Sequence, residues 1–234
     1  SSAASDVYKR QGGYLDPNYE AIATLRPDLV IILPEQQKIK NFLSELKINC
    51  LTVDNKTIQD ILTGIQKIGE VCQAENQASQ LIGNLRKRME NIRHRTTNLS
   101  KPGVLISIGR NIGIGTLADV YAAGKDTYYT ELIRYAGGIN VLESSTVSYP
   151  LITAEGIINL DPDIIIDLIF GTSNHINDPQ QIINDWSCVS EAKAVKNQRV
   201  YVINEGYSVI PGPRFILLLE KLAGLIHPEI DWGE

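Results

Sequence analysis

The sequence lacks long hydrophobic runs and an excess of basic residues. Its longest apolar stretches, such as "DLVIIL" and "DIIIDLIF", have the length of a β-strand, whereas a membrane-spanning helix needs roughly 20 apolar residues. The formal net charge is −5, and no basic run with interleaved aromatic residues is present. We therefore expect neither a membrane-spanning segment nor nucleic acid as a partner.

Cysteine and histidine are scarce, with three residues of each type. Cys50, Cys72 and Cys188 form no CxxC pair and no even-numbered set, so they predict neither a zinc knuckle nor a disulfide framework. We expect them to be small buried side chains. The histidines are widely separated in the sequence, at His94, His175 and His227. This spacing argues against a bare divalent-metal site, and we expect no bound metal ion of that kind.

Common catalytic motifs are also missing, since the chain has no nucleophile elbow, no P-loop and no HExxH sequence. Asp28 and Asp163 each lead into a predicted strand and are expected to be structural. One enzymatic alternative stays open, because "GIGTLA" at residues 113–118 fits the pattern G-x-G-x-x-A. The fit is imperfect, since the first glycine should lie at the end of a strand and Glu143 lies farther on than the usual ribose-binding acid. We predict a non-enzyme, with an NAD(P)-dependent Rossmann-type enzyme as the alternative.

Short apolar segments alternate with helical patterns along the chain. The apolar segments lie near residues 29–33, 50–53, 104–108, 164–169 and 200–203. Such alternation is typical of βα units with mainly parallel sheets, so the predicted fold class is α/β. Between Glu75 and Leu99, apolar residues recur at spacings of three to four. This predicts one long amphipathic helix that spans about 35 Å.

One sequence pattern occurs twice. "YLDPNYEAIATLRPDLVIIL" begins at Tyr14 and "YPLITAEGIINLDPDIIIDL" begins at Tyr149, an offset of 135 residues (149 − 14). In each copy an N-cap candidate, Asn18 or Thr153, precedes a short helix, which a proline ends before a buried strand. The copies predict two similar lobes on either side of the long helix, with chance recurrence as the alternative.

Each copy also carries a glutamate in the first turn of its short helix, Glu20 and Glu155. Interaction with the helix dipole would let each glutamate stabilise its helix by about 0.3–1 kcal/mol. Helix capping alone, however, would accept Asp, Ser or Thr as well. Tyr14 and Tyr149 precede the two helices in loops of the kind that line clefts in α/β folds. Two such rings on facing lobes would form a stacking clamp for a flat ligand; half-buried packing is the alternative.

These motifs resemble those of extracytoplasmic substrate-binding proteins of the ferric-siderophore and cobalamin uptake family. "GGYLDPNYEAIATLRPDLVI" is similar to the family's first-lobe motif, and "AGKDTYYTELIRYAGGINVL" and "YPLITAEGIINLDPDIII" are similar to its second-lobe motifs. "WSCVSEAKAVKNQRVYVIN" and the sequence that follows resemble its closing strand and helix. The resemblance covers residues 12–232. It implies a first lobe at 12–73, an interlobe helix at 74–99 and a second lobe at 100–234.

The opening segment "SSAASDVYKRQ" has no apolar core of the kind that a secretory signal needs. We expect residues 1–11 to be a non-native tail. Relatives carry a signal sequence or lipoprotein anchor and the opening strands of the first lobe before the first motif. The first lobe is therefore expected to be incomplete. The resemblance implies an extracytoplasmic location, in the periplasm or lipid-anchored at the cell surface.

The resemblance implies that Tyr14, Tyr149 and Tyr207 line the ligand cleft, and Tyr121 is a fourth candidate. Arg110 follows the strand "VLISI" and is expected to meet an anionic group of the ligand at the edge of the sheet. The implied ligand is a bulky metal chelate, such as a ferric siderophore, cobalamin or haem. The residues do not choose among these three.

In the family, one glutamate at each lobe tip docks into arginine pockets on the membrane permease. The matching positions are Glu20 and Glu155. The predicted function is therefore that of a monomeric substrate-binding protein of an ABC importer, which captures a metal chelate between two lobes and delivers it to the permease.

Overall fold

The computed structural model describes residues 17–117, 119–169 and 179–233. The helices are α1 (Tyr19–Leu25), α2 (Gln37–Glu45), α3 (Ile58–Val71), α4 (Glu75–Thr96), α5 (Tyr128–Tyr135), α6 (Ala154–Leu160), α7 (Pro179–Asp185), α8 (Lys193–Lys196) and α9 (Phe215–Ile226). The strands are β1 (Val30–Ile32), β2 (Cys50–Thr52), β3 (Gly103–Gly109), β4 (Val120–Ala122), β5 (Ile139–Asn140), β6 (Leu151–Ile152), β7 (Ile164–Leu168) and β8 (Val200–Ile203). Short 3₁₀ turns cover Trp186–Val189 and Gly206–Ser208.

The strands form two separate sheets. In the smaller sheet β1 and β2 are parallel, and α1 and α2 help to cover a small core that includes Ile32, Ile39 and Leu43. The larger sheet has the order β6-β4-β3-β7-β8, and β5 pairs with the start of β3. Strands β3, β7 and β8 are parallel to one another, whereas β4 runs antiparallel to β3. The predicted α/β class with mainly parallel sheets is confirmed.

The parallel strands of the larger sheet are buried on both faces, as their continuous apolar sequences predict. Ile164, Ile165 and Ile166 of β7 are all fully buried, although they point alternately to opposite sides. Ile165 packs in the core beside α6 and Trp186, whereas Ile164 and Ile166 pack in the core that contains α5 and α9. The two cores hold the carboxyl ends of β3 and β7 in fixed positions, and these ends form the floor of the site described below.

The predicted long helix is present as α4, which pairs with α3 in a helical hairpin. Side chains of both helices belong to the same core as α5 and α9. Arg88 of α4 makes two hydrogen bonds, of 2.8 and 2.6 Å, to the carboxylate of Glu220 in α9. The carboxylate of Glu131 in α5 accepts the backbone N–H of Ile58 at 2.6 Å. The lobe boundary at residue 73 stays a prediction, and α3, which we placed in the first lobe, shares its core with elements of the second.

Helix α3 begins at a capping box. The Thr57 hydroxyl accepts the backbone N–H of Asp60 at 3.0 Å, and the Asp60 carboxylate accepts the backbone N–H of Thr57 at 3.0 Å. These bonds satisfy N–H groups that lack partners at the start of a helix. Within the described ranges, no helix combines the length and apolar character that crossing a membrane requires.

Candidate ligand-binding site

A pocket of about 600 Å³ opens at the carboxyl ends of β3 and β7. Its apolar wall consists of Ile108, Ile112, Leu168, Ile169, Val209 and Ile210. Ligands of open α/β sheets bind at this edge, because loops diverge there from the ends of parallel strands. A cavity of about 380 Å³ lies instead between α3, α4 and α5, away from the strand ends. The pocket at the strand ends is therefore the better candidate for the binding site.

Arg110 lies in the wall of this pocket, but its guanidinium is already fully engaged within the protein. Its Nε bonds to Asp167 at 2.8 Å and its Nη1 to Asp185 at 2.6 Å. The remaining N–H groups reach the backbone carbonyls of Asn111 and Ile182 and, through Nη2, the Asp167 carboxylate. Only 1% of the Arg110 side chain is exposed. Four hydrogen bonds and the ion pairs with Asp167 and Asp185 hold this buried guanidinium, so the geometry does not favour an anionic ligand there. The ligand role of Arg110 stays a prediction.

Asp185 ties this ion-pair network to the loop after β3. Its two carboxylate oxygens accept the backbone N–H groups of Gly113 at 2.7 Å and of Gly115 at 2.8 Å. Burial acts to raise the pKa of Asp185, but the hydrogen bonds from Arg110 and the two glycines outweigh it and hold the pKa below its ordinary value. The carboxylate therefore stays ionised and fixes the loop over the pocket.

The hydrogen bonds from Gly113 and Gly115 to Asp185 also argue against the alternative of an NAD(P)-dependent enzyme. In a dinucleotide site, the glycine-rich loop offers its N–H groups to a pyrophosphate and opens a helix. Here the N–H groups of Gly113 and Gly115 bind a carboxylate of the same chain. The next described element is β4, a strand antiparallel to β3, rather than a helix. The "GIGTLA" match does not form a cofactor cradle.

Of the four tyrosines predicted to line the cleft, the structure describes Tyr121, Tyr149 and Tyr207, whereas Tyr14 lies outside the described residues. Tyr121 in β4 pairs with Gly109 at the end of β3 and with Leu151 in β6, and about half of its surface is exposed. Tyr149 precedes Leu151 by two residues and is similarly exposed. Tyr121 therefore lies beside the carboxyl end of β3, whereas Tyr149 lies on the segment that bonds to residues 122–124. Neither side chain is among the residues that line the pocket.

Tyr207 lies in the 3₁₀ turn after β8 and directly precedes Ser208 and Val209, the second of which lines the pocket. Desolvation raises the pKa of Tyr207, with a further contribution from Glu205, and desolvation also raises the pKa of Tyr149. The two phenols therefore remain neutral near pH 7 and act as hydrogen-bond donors or stacking surfaces. Their roles in ligand binding stay predictions.

Two further tyrosines, which were not predicted from the sequence, hold the segment around Ser208 in place. The hydroxyls of Tyr128 and Tyr129 both donate to the carbonyl of Ser208, at 3.2 and 3.1 Å. Both rings are buried, and desolvation raises the pKa of Tyr129 to about 12. The Tyr149 phenol also affects the pKa of both buried tyrosines, so it lies close to them. The double tyrosine in "KDTYYTEL" is the signal that could have identified this support.

The two short helices of the repeated pattern have the same local structure. Asn18 accepts the N–H of Ala21 at 3.0 Å, and Thr153 accepts the N–H of Gly156 at 3.2 Å. Helix α1 ends at a residue in the left-handed conformation with φ 47° and ψ 55°, and α6 ends with φ 43° and ψ 56°. These end residues are Arg26 and Asp161. The pattern is therefore a structural repeat at the level of cap, helix and strand.

Glu20 and Glu155 lie in the first turns of these helices, and both side chains are exposed. Neither carboxylate forms an ion pair with another side chain that the structure describes. Both are therefore accessible to a cationic partner. Their role in docking stays a prediction.

The prediction that all cysteines are buried was wrong for Cys72 and Cys188, which are exposed, whereas Cys50 is half-buried. Cys72 ends α3 at the turn into α4, and the Cys188 thiol donates to the carbonyl of Asp185 at 3.2 Å. All three are free thiols. Among the described residues, no three His, Cys, Asp or Glu side chains cluster as metal ligands would. His175 lies outside the described residues.

Comparison with known proteins places these features in a family. The model of the family described as periplasmic binding protein matches residues 3–207, and thus begins inside the segment 1–11 that we expect to be a non-native tail. The ABC transporter substrate-binding lipoprotein YvrC of Bacillus subtilis is 29% identical over 225 residues, which cover 93% of this chain and 67% of that protein. The high-affinity heme uptake system protein IsdE of Staphylococcus aureus is 26% identical over 83% of this chain and 65% of its own length.

A solved structure shares the fold. The ABC transporter substrate-binding protein from Listeria monocytogenes superposes with a TM-score of 0.78 and 21% sequence identity, over 93% of this chain and 83% of that one. At this identity the similarity shows the fold alone. The chain spans about two thirds of the length of the curated relatives that it matches.

Proposed function

The chain belongs to the periplasmic binding protein family, and we propose that it is the substrate-binding protein of an ABC importer for a bulky metal chelate. The observation that carries this proposal is the pocket of about 600 Å³ at the ends of β3 and β7, with Tyr121 beside the end of β3 and Tyr207 on the segment that leads into the pocket wall. Pockets of this size are typical of small-molecule sites, and phenol rings offer flat surfaces for stacking. The candidate ligands are a ferric siderophore, cobalamin and haem.

Delivery of the chelate would use the two exposed glutamates. Glu20 and Glu155 occupy equivalent positions at the starts of α1 and α6, and two matched charges can orient a partner that carries two cationic pockets. The partner proposed is the membrane permease of the importer. This role places the protein outside the cytoplasm, in the periplasm or lipid-anchored at the cell surface, and a monomer suffices for it.

The packing of α4 supports a limited movement of the lobes. Arg88 and Glu220 join α4 to α9, and α3 and α4 share a core with α5. We propose that these helices move with the larger sheet as one body, and that the smaller sheet moves against it about residues 53–57, between β2 and α3. This arrangement favours modest closure over the wide closure of proteins with flexible crossovers.

Ligand titrations test the proposed function. The purified protein is mixed with haem, cyanocobalamin and a ferric siderophore, and binding is followed by the visible absorbance of each chelate and by quenching of tryptophan fluorescence. We expect saturable binding of one chelate class with a stoichiometry of one, and a rise in the unfolding temperature with chelate concentration. Absence of saturable binding for all three classes would contradict the proposal.

A further inference from the structure

We propose that the pocket at the ends of β3 and β7 selects chelates with no net charge or a positive charge, and that Asp167 sets this preference. The inference rests on the proposed function, because it concerns which chelates the same pocket accepts. It follows from the charges in the pocket wall, from one carboxylate oxygen without a partner, and from the neutral character of the surrounding tyrosines.

The charges of the pocket wall do not cancel. Arg110 and Asp167 line the pocket, and Asp185 lies directly behind Arg110. One guanidinium thus faces two carboxylates, which leaves this buried group with a net charge of −1. The exposed fractions of the three side chains are 1%, 1% and 2%. Solvent therefore screens the excess negative charge poorly.

Asp167 also has an unused hydrogen-bond acceptor. Its Oδ2 accepts from Arg110 at 2.8 Å and from the indole N–H of Trp186 at 3.0 Å. Its Oδ1 is buried and has no hydrogen-bond partner among the residues that the structure describes. A buried carboxylate oxygen without a partner is rare in folded proteins. Because this oxygen is buried and has no partner, a second anion in the adjoining pocket would add repulsion that nothing nearby compensates.

Two neighbouring tyrosines and Lys221 do not offset this negative charge. Tyr149 and Tyr207 have raised pKa values and stay neutral. Lys221, the ammonium group near Tyr207, pairs with the carboxylate of Glu205.

The negative charge of the pocket wall should distinguish the candidate chelates by their own net charge. A ferric tricatecholate carries three negative charges and ferric protoporphyrin carries two propionates, so both would place anionic groups near an uncompensated carboxylate. A neutral ferric trihydroxamate and cyanocobalamin bring amide or hydroxyl groups without net charge. Repulsion from buried like charges is an established means of rejecting a competing ligand. We expect the neutral class to bind and the anionic class to be rejected.

The test compares four probes on the same protein at low salt: a neutral ferric trihydroxamate, cyanocobalamin, a ferric tricatecholate and ferric protoporphyrin. The neutral chelate that binds should do so at least tenfold more tightly than either anionic chelate. Ile210 lines the pocket and is 49% exposed, so Ile210→Lys adds a solvated positive charge at its rim. This variant should improve anionic binding about tenfold relative to neutral binding. Ile210→Gln, of similar length and no charge, should not.

Asp167→Asn provides a second variant, in which the amide can still accept from Trp186 while the negative charge is removed. It should narrow the difference between neutral and anionic chelates, and thermal unfolding shows whether the variant remains folded. Tight binding of an anionic chelate by the unaltered protein would overturn the inference and leave the proposed function intact. Failure of all four probes to bind would instead contradict the proposed function, and the selectivity with it.

Discussion

Glu20 and Glu155 occupy the same position of two helices that match from cap to cap. Each glutamate lies two residues after an N-cap side chain that bonds back to the helix, and six residues before a residue in the left-handed conformation. One helix belongs to the smaller sheet's unit and the other to the larger sheet's unit. The structure thus presents the same charged helix start twice, and helix stability alone does not require glutamate at both places.

The N-cap of α6 should be a measurable source of stability. Thr153→Ala removes the hydroxyl that accepts the N–H of Gly156 and should lower the free energy of unfolding by about 1 kcal/mol. Urea titration followed by circular dichroism measures this change. Thr153→Ser keeps an oxygen at the same place and should recover most of the loss. Equal stability of the Ala variant and the unaltered protein would show that the cap is not needed.

Arg110 should contribute mainly to the stability of the fold rather than to ligand binding. Arg110→Met leaves Asp167 and Asp185 buried without their partner, and should lower the free energy of unfolding by about 3–5 kcal/mol. The matched control is Arg93→Met, since Arg93 pairs with Glu90 at the surface, and it should cause no measurable loss. A stable Arg110→Met protein with weakened ligand binding would restore the direct ligand role that the geometry does not support.

Asp185 should make the protein sensitive to acid. Its pKa in the folded protein lies below the ordinary value of 3.8, so the folded state binds protons less readily than the unfolded state does. The resulting stabilisation is fully present above about pH 4 and is lost as the pH falls through the folded-state pKa. Denaturant titrations from pH 6 to pH 2 should show this loss. In Asp185→Asn, the free energy of unfolding should fall less steeply with decreasing pH. An unchanged slope in the variant would assign the acid sensitivity to other carboxylates.

Tyr149 should contribute to chelate binding through its ring rather than its hydroxyl. Tyr149→Leu should weaken binding by about 0.5–1.5 kcal/mol, because the proposed stacking surface is lost. Tyr149→Phe keeps that surface and should bind nearly as well as the unaltered protein. Isothermal titration with the bound chelate separates the two cases. Equal affinities for all three proteins would mean that Tyr149 lies outside the ligand site.

Local sequence patterns predicted the fold well. The apolar segments near residues 29–33, 50–53 and 164–169 are strands, and the spacing of apolar residues correctly predicted α4, which ends at Thr96 rather than Leu99. The duplicated caps were also predictable, because N-cap chemistry and the helix-ending proline act within a few residues. These features depend on neighbours in the chain.

Contacts between distant residues could not be predicted in the same way. Arg110 and Asp185 are separated by 75 residues, and nothing beside either residue indicates that they meet. The same holds for Arg88 and Glu220, whose bonds attach α4 to α9. The sequence correctly places Arg110 after a strand, at the edge of the sheet. It does not reveal the distant carboxylates that determine what the guanidinium can bind.

The most direct test of the account is reversal of the two matched charges. We predict that Glu20→Lys combined with Glu155→Lys abolishes chelate uptake by cells that carry the importer, because two lysines would face the cationic pockets of the permease. Chelate affinity of the purified double variant should be unchanged. The control replaces Glu45 and Glu191, two exposed glutamates elsewhere on the chain, by lysine, and should leave uptake normal. Normal uptake by the Glu20 and Glu155 variant would contradict the account.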